Sequence, residues 1–244
     1  MNQYDMPLQE RKNGISGSTL KIIAIVSMLI DHIGAVIVLR MLMHDFNNEL
    51  YTLYNVLRGI GRIGFPIFCF LLVEGFRHTR NSKKYAVRLG VFALISEIPF
   101  DLAFRGKLVD LSYQNVFFTL LIGLLVMIVC RKISEKFHEN RIVMYILYVP
   151  TVLFGVMLAE FLQTDYAGIG ILCIMALYFF RGNKACQMVA GCTAFLWELP
   201  APVAFIPVVF YNGKRGFRIK YFFYAFYPVH LFLLYLAARF AGLL

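Results

Sequence analysis

Long apolar runs joined by short basic connections constrain this chain more than any other feature of its sequence. A window of about 19 residues marks nine of them, at 20–42, 55–76, 86–104, 114–130, 142–162, 166–180, 185–198, 202–212 and 221–241. About 20 apolar residues carry a helix across the hydrocarbon core of a bilayer, and the first run has that length. Hydrophobic residues make up 60% of the 244 and charged residues only 16%, with a mean hydropathy of +0.69. A water-soluble domain of that composition lacks the polar surface to cover itself, whereas a bundle facing lipid does not need it. The expected fold is therefore all-α: a polytopic transmembrane helical bundle of about nine spans, eight to ten being possible, with the lipid bilayer as a partner. Residues 1–19 are expected to form a cytoplasmic N-terminal arm, and residues 20–244 a single integral membrane domain. The runs at 185–198 and 202–212 are short. Leu199-Pro200-Ala201-Pro202 between them allows two half-helices, a reentrant hairpin or two tightly packed spans.

The net charge of +10 does not point to nucleic acid, because the basic residues lie in clusters between apolar runs rather than in one stripe. Counted on alternate sides of a nine-pass chain, 18 of the 24 Lys and Arg fall on the side of the N-terminus. They include Lys21, Arg77, Arg80, Arg131, Arg181, Lys214 and Arg215. Arg40, Arg58, Arg62, Arg105, Lys107 and Arg239 fall opposite. That asymmetry obeys the positive-inside rule with a cytoplasmic N-terminus; merging 185–212 into one span would put the basic stretch 212–220 outside. The first run is too long for a cleavable signal and has no small-residue cleavage site after it. Cys69, Cys130, Cys173, Cys186 and Cys192 have no paired C-x-x-C spacing and are expected to be small core residues, with neither a disulfide nor a metal site.

Polar side chains inside the runs need a reason, since charge in a bilayer is expensive. Asp31 and His32 sit side by side near the midplane of the first run, and His230 at similar depth in the last. Arg62, Glu97, Asp101, Gln114, Asn115, Asp165 and Glu198 all fall between the midplane and the outer ends of their spans, which predicts a polar cavity in the outer half of the bundle. The alternatives are plain. Asp31 can simply pair with Arg62. An isolated helical histidine is often a satisfied core residue, although two at one depth favour proton transfer near neutral pH. Pro99 is expected to kink or end the helix between Glu97 and Asp101. On the cytoplasmic side, Glu74, Arg77 and His78 are spaced for a local charged network. Tyr211-Asn212-Gly213-Lys214-Arg215-Gly216 is a basic turn that either follows from topology or receives a phosphate.

Several strings, taken in order, resemble the TraX family. They are Leu20-Lys21-Ile22-Ile23-Ala24-Ile25-Val26-Ser27-Met28-Leu29-Ile30-Asp31-His32-Ile33-Gly34; Arg62-Ile63-Gly64-Phe65-Pro66 running on to Val73-Glu74-Gly75-Phe76-Arg77-His78-Thr79-Arg80; Ser96-Glu97-Ile98-Pro99-Phe100-Asp101; Gln114-Asn115-Val116-Phe117-Phe118-Thr119; the basic turn 211–216; and Phe223-Tyr224-Ala225-Phe226-Tyr227-Pro228-Val229-His230. That family takes its name from a conjugation-associated protein that acetylates the N-terminus of pilin. The resemblance implies a multipass acetyltransferase of the bacterial cytoplasmic membrane, with acetyl-CoA as donor and an amine of pilin or another envelope component as acceptor. Chemistry then suggests roles. His32 or His230 is the candidate base, Asp31 its orienting carboxylate, and Arg62 or Asn115 the oxyanion donor. Arg77, Arg80, Lys214 and Arg215 are the candidate phosphate ligands, and Glu97, Asp101, Gln114, Asp165 and Glu198 the walls of the acceptor cavity. A small proton- or cation-coupled transporter, or a noncatalytic pilus-assembly protein, is the rival expectation.

Overall fold

Residues 14–217 and 220–244 are described by the computed structural model of the chain. The expected arm is thus represented only by its last residues, and Arg11, Lys12 and Arg218 of the charge asymmetry lie outside the described residues. Every regular element among the described residues is helical: α1 (Gly17–Ile33), α2 (Leu39–His44), α3 (Asn48–Gly61), α4 (Gly64–His78), α5 (Ser82–Arg105), α6 (Val116–Lys136), α7 (Arg141–Phe161), α8 (Ala167–Phe179), α9 (Lys184–Ala194), α10 (Phe205–Val209) and α11 (Lys220–Phe240). The starts are written in the sequence. Asn47, Asn81, Asn115, Asn140 and Asn183 each place a side-chain oxygen on a first-turn amide of α3, α5, α6, α7 and α9, which satisfies donors that an isolated helix leaves bare.

Among the described residues, five helical segments are long and apolar enough to cross a membrane: Gly17–His44, Asn48–His78, Val116–Lys136, Arg141–Phe161 and Tyr221–Phe240. The first joins α1 to α2 through one π turn, Gly34–Val38, in which the Leu39 amide reaches back five residues to the Gly34 carbonyl. The second joins α3 to α4 through Arg62 and Ile63, whose backbone stays close to helical. α5 is 24 residues long. It exposes Val87, Val91, Leu94, Ile95 and Ile98 along one side while burying Ser96 and Asp101 on another, and it packs along α11. Ser96 and Asp101 face inward, so average hydropathy understates its apolar outer side. Of the two outcomes expected at Pro99, an end to the helix is not met: α5 runs through it to Arg105.

The stretch 185–212 differs from two spans. α9 has 11 residues and α10 only five, so α9 reaches about 17 Å against a core of about 30 Å. The Lys184 ammonium donates to the Tyr211 carbonyl at 2.9 Å, bringing both ends of the stretch together. It is a hairpin that enters and leaves by one end of the bundle. The same end is closed by the strand-like lead into α1: Ile15 N–H donates to Phe210 O (2.9 Å), Gly17 N–H to Lys214 O (2.8 Å) and Ser18 N–H to Arg215 O (3.0 Å). At the opposite end the 106–115 loop is pinned by the Asp110 amide, which donates to Asp101 Oδ2 at 2.7 Å. Hydrogen bonds from the Ser112 hydroxyl and amide hold the Asp110 carboxyl down at about 2.

Candidate functional site

Asp31 points at α3, not along its own helix. Its Oδ2 pairs with Arg58 Nη1 at 2.5 Å, and Gly61 lies where a Cβ would run into the Asp31 carboxylate. That glycine lets the carboxylate fit between two helices. The expected partner, Arg62, is one helical turn further on and pairs instead with Glu198 at the tip of the hairpin, at 2.6 Å. Two ion pairs therefore stack in one region, each leaving a carboxylate oxygen, Asp31 Oδ1 and Glu198 Oε2, without a hydrogen-bond donor.

His32 and His230 meet. Nδ1 of His32 lies 2.6 Å from Nε2 of His230, and Nδ1 of His230 lies 2.7 Å from the Phe226 carbonyl. A carbonyl only accepts, so His230 must carry its proton on Nδ1 and, when neutral, accept at Nε2. His32 then donates from Nδ1, which leaves the lone pair of a neutral His32 on Nε2. The backbone of α11 thus assigns the tautomer of a side chain on α1. Aromatic edges hold the pair: Phe104 and Tyr227 stand edge-on to His32 at 5.4 and 5.9 Å between ring centres.

His32 lines a cavity of about 380 Å³ whose wall also carries Asp31, Arg58, Arg62, Arg105, Tyr113 and Asp165. Tyr113 donates to Asp165 Oδ1 at 2.8 Å. A second cavity, of about 650 Å³, opens toward the end where α1 begins and carries Lys21, Arg80, Lys84, Arg88 and Arg215 on its wall. The two cavities share Met28, Phe68, Val116 and Tyr227, so one layer of side chains separates them.

The structure brings together Asp31, His32, Arg62 and Asp165 of the expected site, with His230 behind His32. It does not bring the others to the cavity wall. Asn115 is fully buried and its amide is committed, accepting from Phe117 N–H and donating to Ala93 O and Glu97 Oε2; it ties α6 to α5 and has no donor left for an oxyanion. Asp101 holds the Asp110 amide, and the Gln114 side chain donates to Leu111 O. Glu97, Asp101, Gln114 and Glu198 are bracing groups around the cavity. Among the expected phosphate ligands, Arg80 and Arg215 line the larger cavity. Arg77 is buried beside Glu74, its Nη1 3.8 Å from Oε1, and Lys214 contributes its backbone to the closure of α1. Sequence reasoning overlooked Arg58 as a partner, and Lys21, Lys84 and Arg88 as cavity residues. Arg58 stands four residues before Arg62 and so shares its helical face, which is the signal that could have found it.

Comparison with known proteins agrees in extent with this geometry. The family described as "TraX protein" matches residues 16–238. A probable fimbrial assembly protein FimC, serogroup H1, of Dichelobacter nodosus is 31% identical over 251 residues, covering 94% of this chain and 98% of its own length. No solved structure matches. The matched residues contain the described lining of both cavities and the histidine pair at the smaller one, and the chain belongs to the TraX family.

Proposed function

We propose that this chain is a membrane-embedded acetyltransferase that takes an acetyl group from acetyl-CoA through the basic cavity and gives it to an amine in the smaller one. The observation that carries this reading is the shared wall. A cavity rich in cations and a cavity holding an oriented histidine abut at Met28, Phe68, Val116 and Tyr227, so a thioester reaching inward from one stops beside the base in the other. The cations suit the phosphates of a coenzyme A donor. The acceptor is an amine of a pilin-like or other envelope component, a pilus-related role supported by the name of the Dichelobacter relative.

In topology, the basic cavity faces the cytoplasm with the N-terminus, following the asymmetry of Lys and Arg, and the membrane is the bacterial cytoplasmic one. The chain crosses seven times, α8 being the shortest crossing, and the 184–211 hairpin dips in and returns. This count keeps the parity of a nine-pass chain and its charge distribution.

His32 Nε2 takes a proton from the attacking amine as the new N–C bond forms. The C–S bond then breaks, the sulfur leaves with its electron pair, and it receives that proton from His32. His230 keeps the lone pair of His32 directed at the acceptor. Arg62, on the same cavity wall, supplies positive charge for the oxyanion that develops on the acetyl oxygen. The test is the purified protein in proteoliposomes given labelled acetyl-CoA and envelope material from its host. Label appearing in an amine of an acceptor supports the reading, with a mass gain of about 42 Da for one acetyl group. Solute flux without acetylation identifies a transporter and overturns it.

A further inference from the structure

Glu74 is the one acid among the described residues lining the larger cavity. It is 3% exposed, and neither of its carboxylate oxygens accepts a hydrogen bond. Its neighbours on α4 stand off at 3.8 Å (Arg77 Nη1) and 3.4 Å (His78 Nε2), beyond the 2.7–3.2 Å at which a charged donor closes on a carboxylate. A purely structural ion pair would be closed at this depth, because buried polar groups are rarely left unmade.

The cavity is layered. His78, Arg80, Lys84 and Arg215 sit at the mouth, where α4 ends and α5 begins. Glu74 and Arg88 lie one helical turn further in, about 6 Å at the helical rise. Arg88 is held at 5.2 Å from the Tyr85 ring and 5.4 Å from the Tyr224 ring and hydrogen-bonds the Tyr224 hydroxyl, while its buried Nε still donates to nothing. Beyond this layer come the apolar residues of the shared wall. The order from mouth to wall is cationic, then a level that carries Glu74 and Arg88, then apolar.

We infer that the Glu74–Arg88 layer is a subsite for the amide-bearing arm of a thioester donor, with Glu74 accepting an N–H or O–H and Arg88 donating to a carbonyl. This rests on the coenzyme A reading above and deepens it. The pantetheine arm carries two amides and a hydroxyl between the phosphates and the sulfur, which is the sequence of chemistries the layers present.

The test is calorimetric titration of the full chain in detergent with acetyl-CoA and with adenosine 3′,5′-bisphosphate, a head fragment that lacks the arm. Glu74→Leu is expected to weaken acetyl-CoA about tenfold, the scale of one charged hydrogen bond, and to leave the head fragment unchanged. Glu74→Gln, which still accepts through its amide oxygen, loses less, while Arg80→Glu weakens both ligands. If Glu74→Leu fails to fold by size-exclusion chromatography, Glu74→Gln and Arg88→Gln carry the same comparison. Unchanged acetyl-CoA affinity in a folded variant, or equal loss for both ligands, overturns the subsite and leaves the donor reading standing. A wild-type protein that binds no acetyl-CoA overturns both.

Discussion

The two cavities differ in what their charges are doing. In the smaller one, the ionic groups are largely spoken for: Arg58 holds Asp31, Arg62 holds Glu198, Tyr113 holds Asp165, and the two histidines hold each other. In the larger one, cations from α1, α5 and the 211–217 stretch surround a single buried carboxylate that accepts no hydrogen bond. Interlocked charge fixes geometry and resists rearrangement, which suits a place where atoms must be positioned. Positive charge gathered around open volume suits a place where an anionic ligand enters.

The sharpest way to break this contrast is at His32. His32→Ala should lower acetyl transfer by at least a hundredfold, within the range of positioned general bases, while detergent-solubilised yield and donor affinity stay as in wild type; retained turnover removes the base from the smaller cavity. Next comes the Asp31 pair. Arg58→Leu strands a half-buried carboxylate and should destabilise the bundle by about 3 kcal/mol, the lower end for breaking buried pairs. Asp31→Asn added to it should restore part of the loss in a thermal melt, and no restoration would mean the two are not coupled. His230→Gln should reduce kcat by tenfold to a hundredfold with the donor KM unchanged, since it acts through the orientation of its neighbour. A rise in KM alone would make it a binding residue. In the larger cavity, Arg80→Glu with Arg215→Glu should raise the donor KM about tenfold and leave kcat in place, with the wild-type KM rising with salt. Smallest is Asn115→Ala, which should cost about 1–2 kcal/mol through a lost cap and brace and leave transfer per folded molecule untouched.

Much of this was legible in the chain. Apolar runs and Asn caps mark the helices because both signals are local. Asp31, His32 and His230 stood out because an ionisable residue deep in an apolar run has few reasons to be there. What could not be read was which groups face which. Arg58 and Arg62 share a helical face, and only the packing of α3 on α1, through Gly61, decides which meets Asp31. Asn115 has the chemistry of an oxyanion donor, but its cap and its bond to the Ala93 carbonyl use it up. The hairpin at 184–211 has the hydropathy of a span, and hydropathy carries no direction of travel. Pro99 looked like a helix end because proline removes one backbone hydrogen bond, yet α5 continues through it to Arg105.

The π turn at Gly34–Val38 has one more consequence. It lies two residues beyond His32, and Arg40 clamps it by donating to Val36 O at 2.6 Å and to Ala103 O on α5 at 2.7 Å. A π turn holds one residue more than an α turn, and at 3.6 residues per turn one residue is about 100° of rotation. The extra residue therefore acts as a phase shifter between the two ends of a single rod. Trimming one residue from 34–38 would let the rod become uniformly α-helical. It would then have to turn either Asp31 and His32 off their partners or Arg40 off α5.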